Sequence, residues 1–244
     1  MKNFFFILAL LPTLALATIP AQFTQNSLRY RTSFGECPTK SSGELAILVM
    51  REFEKTRSLM AVKEKILTEK WDEKYFLSYY SIKFNPLTQT VKMNFDCPEP
   101  LVRVQVYRDN GKEHYSAVMV RTGKLLDPSY EMILKAEKKL TVDLPSLAIP
   151  VKDLEGEVHA NFTRFATKLS PGIRQKISEI IINDNKELSV ILSLGRKTTS
   201  VFMGTDLWET KLEKLEKIIS YVDKSEKFPS TINLTNAKKV VVKF

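Results

Sequence analysis

The hydrophobic pattern is most regular in the last part of the sequence, from residue 188 onward. Two apolar runs, 188–194 and 199–204, flank a Gly-Arg-Lys turn and predict a pair of strands. A helical period follows over 206–222. Its apolar stripe predicts the side that packs on the core and comprises Trp208, Leu212, Leu215, Ile219 and Val222.

The polar residues of this helix predict its start and its exposed side. Asp206 is the expected N-cap, with Glu209 three residues later, as in a capping box. The residues expected to face solvent are Lys211, Glu213, Lys214 and Lys217.

The last segment, 231–244, predicts a closing strand pair whose final strand is the candidate binding site. A basic, β-branched strand that closes the chain is expected at a sheet edge, where unpaired backbone groups can accept a strand from another protein. Alternation places Val240, Val242 and Phe244 on one face. The candidate partner-binding residues are Lys239, Val240, Val241, Val242, Lys243 and Phe244.

The first part of the chain has a different order of predicted strands and helices. A strand pattern at 27–34 precedes two helical patterns, for which Ser41 (with Glu44 three residues later) and Ser58 are the expected N-caps. Two more strand patterns, around an Asn-Pro turn, complete the order strand, helix, helix, strand, strand.

A hairpin is predicted next, with strands at 101–109 and 114–120 around Asn110-Gly111. The pattern is then less regular until the segment 143–150 (DLPSLAIP). A helix over about 155–169 follows, which ends at a Ser-Pro-Gly sequence, and then a strand near 176–182. The expected fold class is therefore α+β.

The N-terminus predicts export. Lys2 precedes an apolar run at 4–17, which is short against the roughly 20 residues of a membrane-spanning helix and is interrupted by Pro12. Ala15-Leu16-Ala17 fits a signal-peptidase site, so we expect a mature, periplasmic chain that begins at Thr18. The alternative is an uncleaved anchor that holds the protein at the inner membrane, facing the periplasm.

Two cysteines in an exported chain are most simply a disulfide pair. Cys37 follows the first predicted strand and Cys97 ends the strand over 90–97. If these strands lie side by side and parallel, their C-terminal ends meet and the sulfurs come within bonding range. Two free buried thiols are the alternative in a reducing compartment.

The net charge and the motifs of the sequence restrict the classes of protein that this chain can belong to. The net charge of +9 is spread along the chain without a basic arm or a nucleic-acid motif, and favours anionic lipid headgroups or envelope polymers. The two histidines, His114 and His159, have no partners at metal-ligand spacing. Phosphate-binding glycine patterns and nucleophile elbows are absent from the sequence. We expect a binding protein and not an enzyme, with no cofactor, metal or small-molecule substrate.

Several short motifs resemble one family. The strand-helix-helix-strand-strand order is that of a POTRA domain, and the strand pair over 81–104 resembles that of the FtsQ/DivIB bacterial cell-division proteins. The positions that carry this likeness are Pro86, Val91, Met93, Phe95, and Pro98 or Pro100.

Later motifs follow in the order that this family has. They are Gly123 to Asp127, Leu144-Pro145-Ser146-Leu147, the paired strands ending in Leu-Gly, Lys211 with Leu212 and Leu215, and Ile232 with Leu234. The sequence departs from the family at Asn233 and Thr235, which replace an acid and an arginine. It also has a short signal-like segment instead of a cytoplasmic tail and transmembrane helix.

After the signal-like segment at 1–17, the resemblance implies a POTRA-like domain at 18–100 and an FtsQ-like β domain at 101–244. It also implies a non-catalytic scaffold of septum assembly that binds FtsB/FtsL-like division proteins, partly by strand addition at the final strand. Two other readings stay open, a POTRA-type envelope assembly factor and an envelope enzyme or cationic polymer-binding protein.

Overall fold

The computed structural model describes residues 28–108, 111–195, 197–236 and 238–244. The described chain folds as a mixed α+β protein, with seven α-helices and twelve strands in two sheets. Every strand of the smaller sheet precedes Cys97, and every strand of the larger sheet follows Glu99. The predicted fold class is confirmed.

The first unit contains the predicted strand, two helices and strand pair, with one extra helical turn. Its elements are β1 (Arg29–Ser33), α1 (Thr39–Thr56), α2 (Leu59–Thr68), α3 (Trp71–Lys74), β2 (Tyr79–Asn85) and β3 (Thr90–Asp96). The three strands lie in the order β1-β3-β2, with β1 parallel and β2 antiparallel to β3. The helices bury one face of this sheet around Phe53, Met93 and Phe95.

The second unit is built on a nine-stranded sheet. Its elements are β4 (Pro100–Tyr107), β5 (Glu113–Val120), β6 (Leu125–Leu126), α4 (Ser129–Ala136), β7 (Ser146–Pro150), a 3-10 turn (Val151–Asp153), α5 (Glu157–Lys168), α6 (Pro171–Arg174), β8 (Ile177–Ile182), β9 (Leu188–Leu194), β10 (Lys197–Gly204), α7 (Trp208–Ser225), β11 (Thr231–Asn233) and β12 (Val241–Lys243). The strand order is β12-β11-β10-β9-β8-β7-β4-β5-β6.

The two faces of the larger sheet are covered differently. Helices α5 and α7 pack on one face, where Phe162, Phe165 and Leu215 join the apolar residues of β4 and β7 to β11. The other face is covered at the β5–β6 end by α4, through Tyr130 and Leu134.

The structure confirms the predicted hairpin, the helix near 155–169, the strand near 176–182 and the final helix, with shifts of a few residues at their ends. Helix α4, which was not predicted, lies in the stretch with the less regular pattern, and strand β7 lies within 143–150, the segment at which that stretch ends. Asn110 of the predicted Asn-Gly turn and Asp109 at the end of the preceding predicted strand fall outside the described residues.

Two predicted N-caps are wrong. Helix α1 begins at Thr39, after Pro38, so Ser41 lies inside the helix and caps nothing. Helix α7 begins at Trp208 after Leu207, which adopts a left-handed conformation, and Asp206 makes no cap hydrogen bond. The cap at Ser58 is confirmed, because its side chain accepts a hydrogen bond from the backbone N–H of Ala61 at 3.3 Å.

The expected outward position of Lys211 is also wrong. Its residue surface is 1% exposed, and Nζ donates to the carbonyl oxygen of Met203 and to Oδ1 of Asp206, each at 2.7 Å. The lysine therefore satisfies a carbonyl at the end of β10, and Asp206 serves as its counter-ion.

The predicted disulfide between Cys37 and Cys97 is present, with the Cα atoms 4.9 Å apart. Strands β1 and β3 are parallel and adjacent, and Ser33 lies opposite Asn94. Because parallel strands run in one direction, the segments that leave them carry both cysteines to the same end of the sheet.

The two units meet where the chain leaves the smaller sheet. Tyr130 of α4 donates its hydroxyl hydrogen to the carbonyl of Pro98 at 2.7 Å, and its ring centroid lies 4.8 Å from that of Phe76. Lys139 donates to the carbonyl of Cys37. These contacts attach the second unit to both segments that carry the disulfide.

Helix α1 receives its N-terminal carboxylate from the second unit. Its first turn contains no acidic residue and no side-chain cap of its own. Oε1 of Glu137 accepts a hydrogen bond from the backbone N–H of Lys40 at 3.0 Å, and Oε2 accepts one from Thr39. A negative group is favourable at a helix N-terminus, so this contact couples the stability of α1 to the position of the second unit.

Among the described residues, none of the helices combines the length and the apolar character needed to cross a bilayer.

We expect replacement of both cysteines by serine to lower the free energy of unfolding by about 4 kcal/mol, because the disulfide closes a long loop. Denaturant unfolding of the purified protein measures this. Reductant should lower the stability of the wild-type protein similarly and leave that of the Cys37→Ser/Cys97→Ser variant unchanged. Equal stability of the two proteins without reductant would contradict this role.

We expect Glu137→Gln to lower the free energy of unfolding by about 1 kcal/mol at neutral pH, the usual contribution of a helix cap. Burial alone would raise the pKa of Glu137, but hydrogen bonds from the backbone of Lys40 and Thr39 outweigh it and hold that pKa below its ordinary 4.5.

A carboxylate with a depressed pKa stabilises the fold fully above its unfolded-state value, and the stabilisation is lost as pH falls through the lower folded value. The difference between wild type and Glu137→Gln should therefore shrink below pH 4.5. Chemical denaturation across this range measures it. Glu64→Gln, at an exposed position on α2, is the matched control and should show little change.

Candidate functional site

Strand β12 lies at the edge of the nine-stranded sheet, as the sequence pattern predicts. Its neighbour β11 runs antiparallel to it, with Ile232 opposite Val242 and Asn233 opposite Val241. The other side of β12 pairs with no strand among the described residues. The site is therefore a sheet edge with an open backbone.

Helix α7 and strand β10 position this edge. After Gly204, the chain enters α7, and the indole N–H of Trp208 donates to the Gly204 carbonyl at 2.8 Å. The helix crosses the sheet and returns the chain to β11, which pairs in parallel with β10. The buried hydroxyl of Thr199 then donates to the carbonyl of Pro229 at 2.6 Å and fixes the start of β11.

Two asparagines shape the connection from β11 to β12. Oδ1 of Asn233 accepts hydrogen bonds from the backbone N–H of Thr235 at 2.9 Å and from its hydroxyl at 2.7 Å. Oδ1 of Asn236 accepts one from the backbone N–H of Lys238 at 2.8 Å. Asn233 and Thr235, the two departures from the resembled family, thus stabilise the turn that brings β12 back along β11.

The strand itself is shorter than the alternation predicts. It covers Val241–Lys243, and Lys239, Val240 and Phe244 lie outside the ladder. Alternation places Val240, Val242 and Phe244 on one face, and of these only Val242 packs against the core. Phe244 is 69% exposed and Val240 is 39% exposed.

The direction of the open backbone groups follows from one hydrogen bond. The carbonyl of Lys243 accepts from the backbone N–H of Ser230 at 2.8 Å, so it points toward β11. Backbone groups of successive strand residues point in opposite directions within the sheet plane. The N–H and C=O of Val242 therefore point to the open side, and those of Val241 point toward β11.

Exposed apolar side chains continue from the edge onto the uncovered face of the sheet. Phe202 lies opposite Asn233, which lies opposite Val241, so the three share one row. Phe202 and Val241 are exposed by 42% and 49%. An incoming strand would extend this row, and its side chains would cover part of the apolar surface.

Three lysines flank the edge and supply its charge. Lys238, Lys239 and Lys243 are exposed, and none of them makes an ion pair with a residue in the described part of the chain. Their uncompensated charge favours an acidic partner segment.

A polar cleft lies on the helical side of the larger sheet. A cleft of about 450 Å³ between α5 and α7 is lined by Arg164, Lys168 and Glu209. Lys168 and Arg164 both form ion pairs with Glu209. These contacts hold the pKa of Glu209 below its usual range, and the hydrogen bond from Lys168 makes the largest contribution. Both cations of the cleft are therefore paired with a carboxylate.

The histidines do not assemble a reactive group with each other. Nδ1 of His114 accepts a hydrogen bond from Nε of Arg108 at 3.2 Å, at an exposed position on β5. His159 lies on α5, with Nε2 buried and without a hydrogen-bond partner. Within the described residues, no three His, Cys, Asp or Glu side chains form a group that could hold a metal ion.

The sequence pattern predicts the sheet edge but not the two groups that define the binding surface there, the outward backbone of Val242 and the side chain of Phe202. The outward backbone of Val242 depends on register with β11, and the place of Phe202 depends on the parallel pairing of β10 with β11. The alternating pattern of β10 is the one sequence feature that indicates an exposed apolar side chain here, because Phe202 is apolar at a position of the polar face.

No protein-family model matches this chain, and no curated protein is significantly similar to it in sequence.

Proposed function

We propose that this protein is a non-enzymatic scaffold of the FtsQ/DivIB type, which acts in the periplasm and binds division proteins like FtsB and FtsL. The single observation that supports the binding mode is the open edge of β12. The motifs of the sequence support the choice of family, and the disulfide is compatible with an exported protein.

In the proposed complex a partner strand pairs with the open side of β12. The Val242 N–H and C=O supply main-chain hydrogen bonds, which give affinity without requiring a particular partner sequence. Specificity comes from the side chains around the edge, where Val241 and Phe244 offer apolar contact and Lys239 and Lys243 attract an acidic segment.

We expect Val242→Pro to abolish one outward donor while it leaves the pairing with β11 in place, since proline is tolerated at an edge when its N–H would face solvent. Affinity for the periplasmic segments of the cognate FtsB/FtsL-like pair should fall at least about tenfold, because the lost hydrogen bond is worth about 1 kcal/mol and the ring obstructs the incoming strand. Calorimetry measures the affinity.

Two variants make this test specific. Val242→Ala keeps the N–H and removes side-chain contact with the core, so it should bind more tightly than the proline variant. Val241→Pro removes a donor that points toward β11 and should detach the strand, with a loss visible in thermal stability. Wild-type affinity in a folded Val242→Pro variant would exclude strand addition at this edge.

We expect Lys239→Glu to have a milder effect that acts mainly on the association rate. The side chain lies outside the ladder, so its charge steers a partner without forming the core of the contact. Stopped-flow measurements should show slower association, a loss that shrinks with added salt. Lys63→Glu, at an exposed position on α2, makes the same change of charge and is the matched control. Its association rate should stay near that of the wild type.

A further inference from the structure

The solvent-facing side of the smaller sheet carries a row of three cations. Arg31 on β1 lies opposite Lys92 on β3, and Lys92 lies opposite Lys83 on β2. All three side chains belong to exposed residues. Arg29, also exposed, extends the positive charge to the next row of β1, opposite Thr90.

The alternation of the strands fixes this row on the side away from the helices. Val91 and Met93, on either side of Lys92, are fully buried against α1 and α2. Tyr30, next to Arg31, points to the same helices, because its hydroxyl donates to Glu54 of α1 at 3.0 Å. Since successive strand residues point to opposite faces, the cations project into solvent.

The charges in this row are not compensated within the described chain. Arg29, Arg31, Lys83 and Lys92 make no ion pair with any residue that the structure describes. The adjoining row on the other side contains Ser33, Asn94 and Ser81, which are uncharged. Like charges directly opposite one another destabilise a sheet, so the row is available to an external anion that relieves the repulsion.

An exposed apolar side chain lies at one end of the same sheet. Leu87, in the turn between β2 and β3, is 93% exposed. The backbone N–H of Arg29 donates to the carbonyl of Gln89 at 2.8 Å, so the start of β1 lies beside this turn. The cations and the apolar tip therefore belong to one continuous end of the first unit.

We propose that this cationic face, together with the Leu87 turn, binds the surface of a bilayer that contains anionic phospholipid. The three strands present their cations side by side, an arrangement that matches a planar array of headgroup phosphates. An exposed leucine beside cations fits the boundary between headgroups and acyl chains, whereas a soluble polyanion would leave it in water.

This inference is independent of the proposed function, because the cationic face lies on the smaller sheet and the partner edge on the larger one. Together they describe a protein that lies on a membrane through its first unit and offers β12 to a partner. Either property can be lost without the other.

The test is co-sedimentation with lipid vesicles of the chain that begins at Thr18, which contains both cores. Wild-type protein should bind vesicles of phosphatidylglycerol and phosphatidylcholine and should not bind phosphatidylcholine alone. Each cation near an anionic surface contributes about fivefold to binding, so Lys83→Gln/Lys92→Gln should weaken it roughly 25-fold. Leu87→Ser should weaken it less and leave the preference for anionic lipid unchanged.

Lys55→Gln/Lys63→Gln is the matched control, since both lysines are exposed on α1 and α2 and the net charge changes equally. This control should bind like the wild type. Equal loss of binding in both double variants would mean that net charge alone drives binding. Wild-type binding by Lys83→Gln/Lys92→Gln would show that the cationic face does not bind the vesicles. Binding to inorganic polyphosphate without binding to anionic vesicles would assign the face to a soluble polyanion and overturn the proposal.

Discussion

An open β-sheet has two edges, and unpaired backbone groups at those edges constrain the rest of this structure. One edge of the larger sheet is β6, which is only two residues long and has Leu126 buried beneath α4. The other edge is β12, where the backbone of Val242 points outward. The fold thus covers one end of the sheet and leaves the other end able to receive a strand.

The exposed edge depends on the elements that hold it in place. Helix α7 buries its apolar stripe on the sheet, and the buried Lys211 joins the end of β10 to Asp206. The asparagine turns after β11 then direct the chain back along the sheet. Because β12 pairs over three residues, its position relies on these contacts more than on its own hydrogen bonds.

The junction of the two units sets how the cationic face and the partner edge relate in space. The disulfide joins the start of α1 to the end of β3, and Glu137 and Lys139 contact the same region from the second unit. The disulfide holds together the two segments of the first unit that the second unit contacts, and the charge-assisted contacts there limit motion between the units. Partner binding at one end and surface binding at the other would then act on one connected body.

The sequence by itself determined most of the element types, the α+β class, the cysteine pair and the edge position of the last strand, since these follow from local periodicity and from strand direction. Only the tertiary structure decided how the N-terminus of α1 is capped and that Lys211 is buried. Glu137 caps a helix almost a hundred residues earlier in the chain, and Lys211 is buried because a carbonyl and a carboxylate meet it there. The register between strands places Arg31, Lys92 and Lys83 in one row. This row could not be predicted, because the register between strands that are distant in the sequence does not follow from a local sequence pattern.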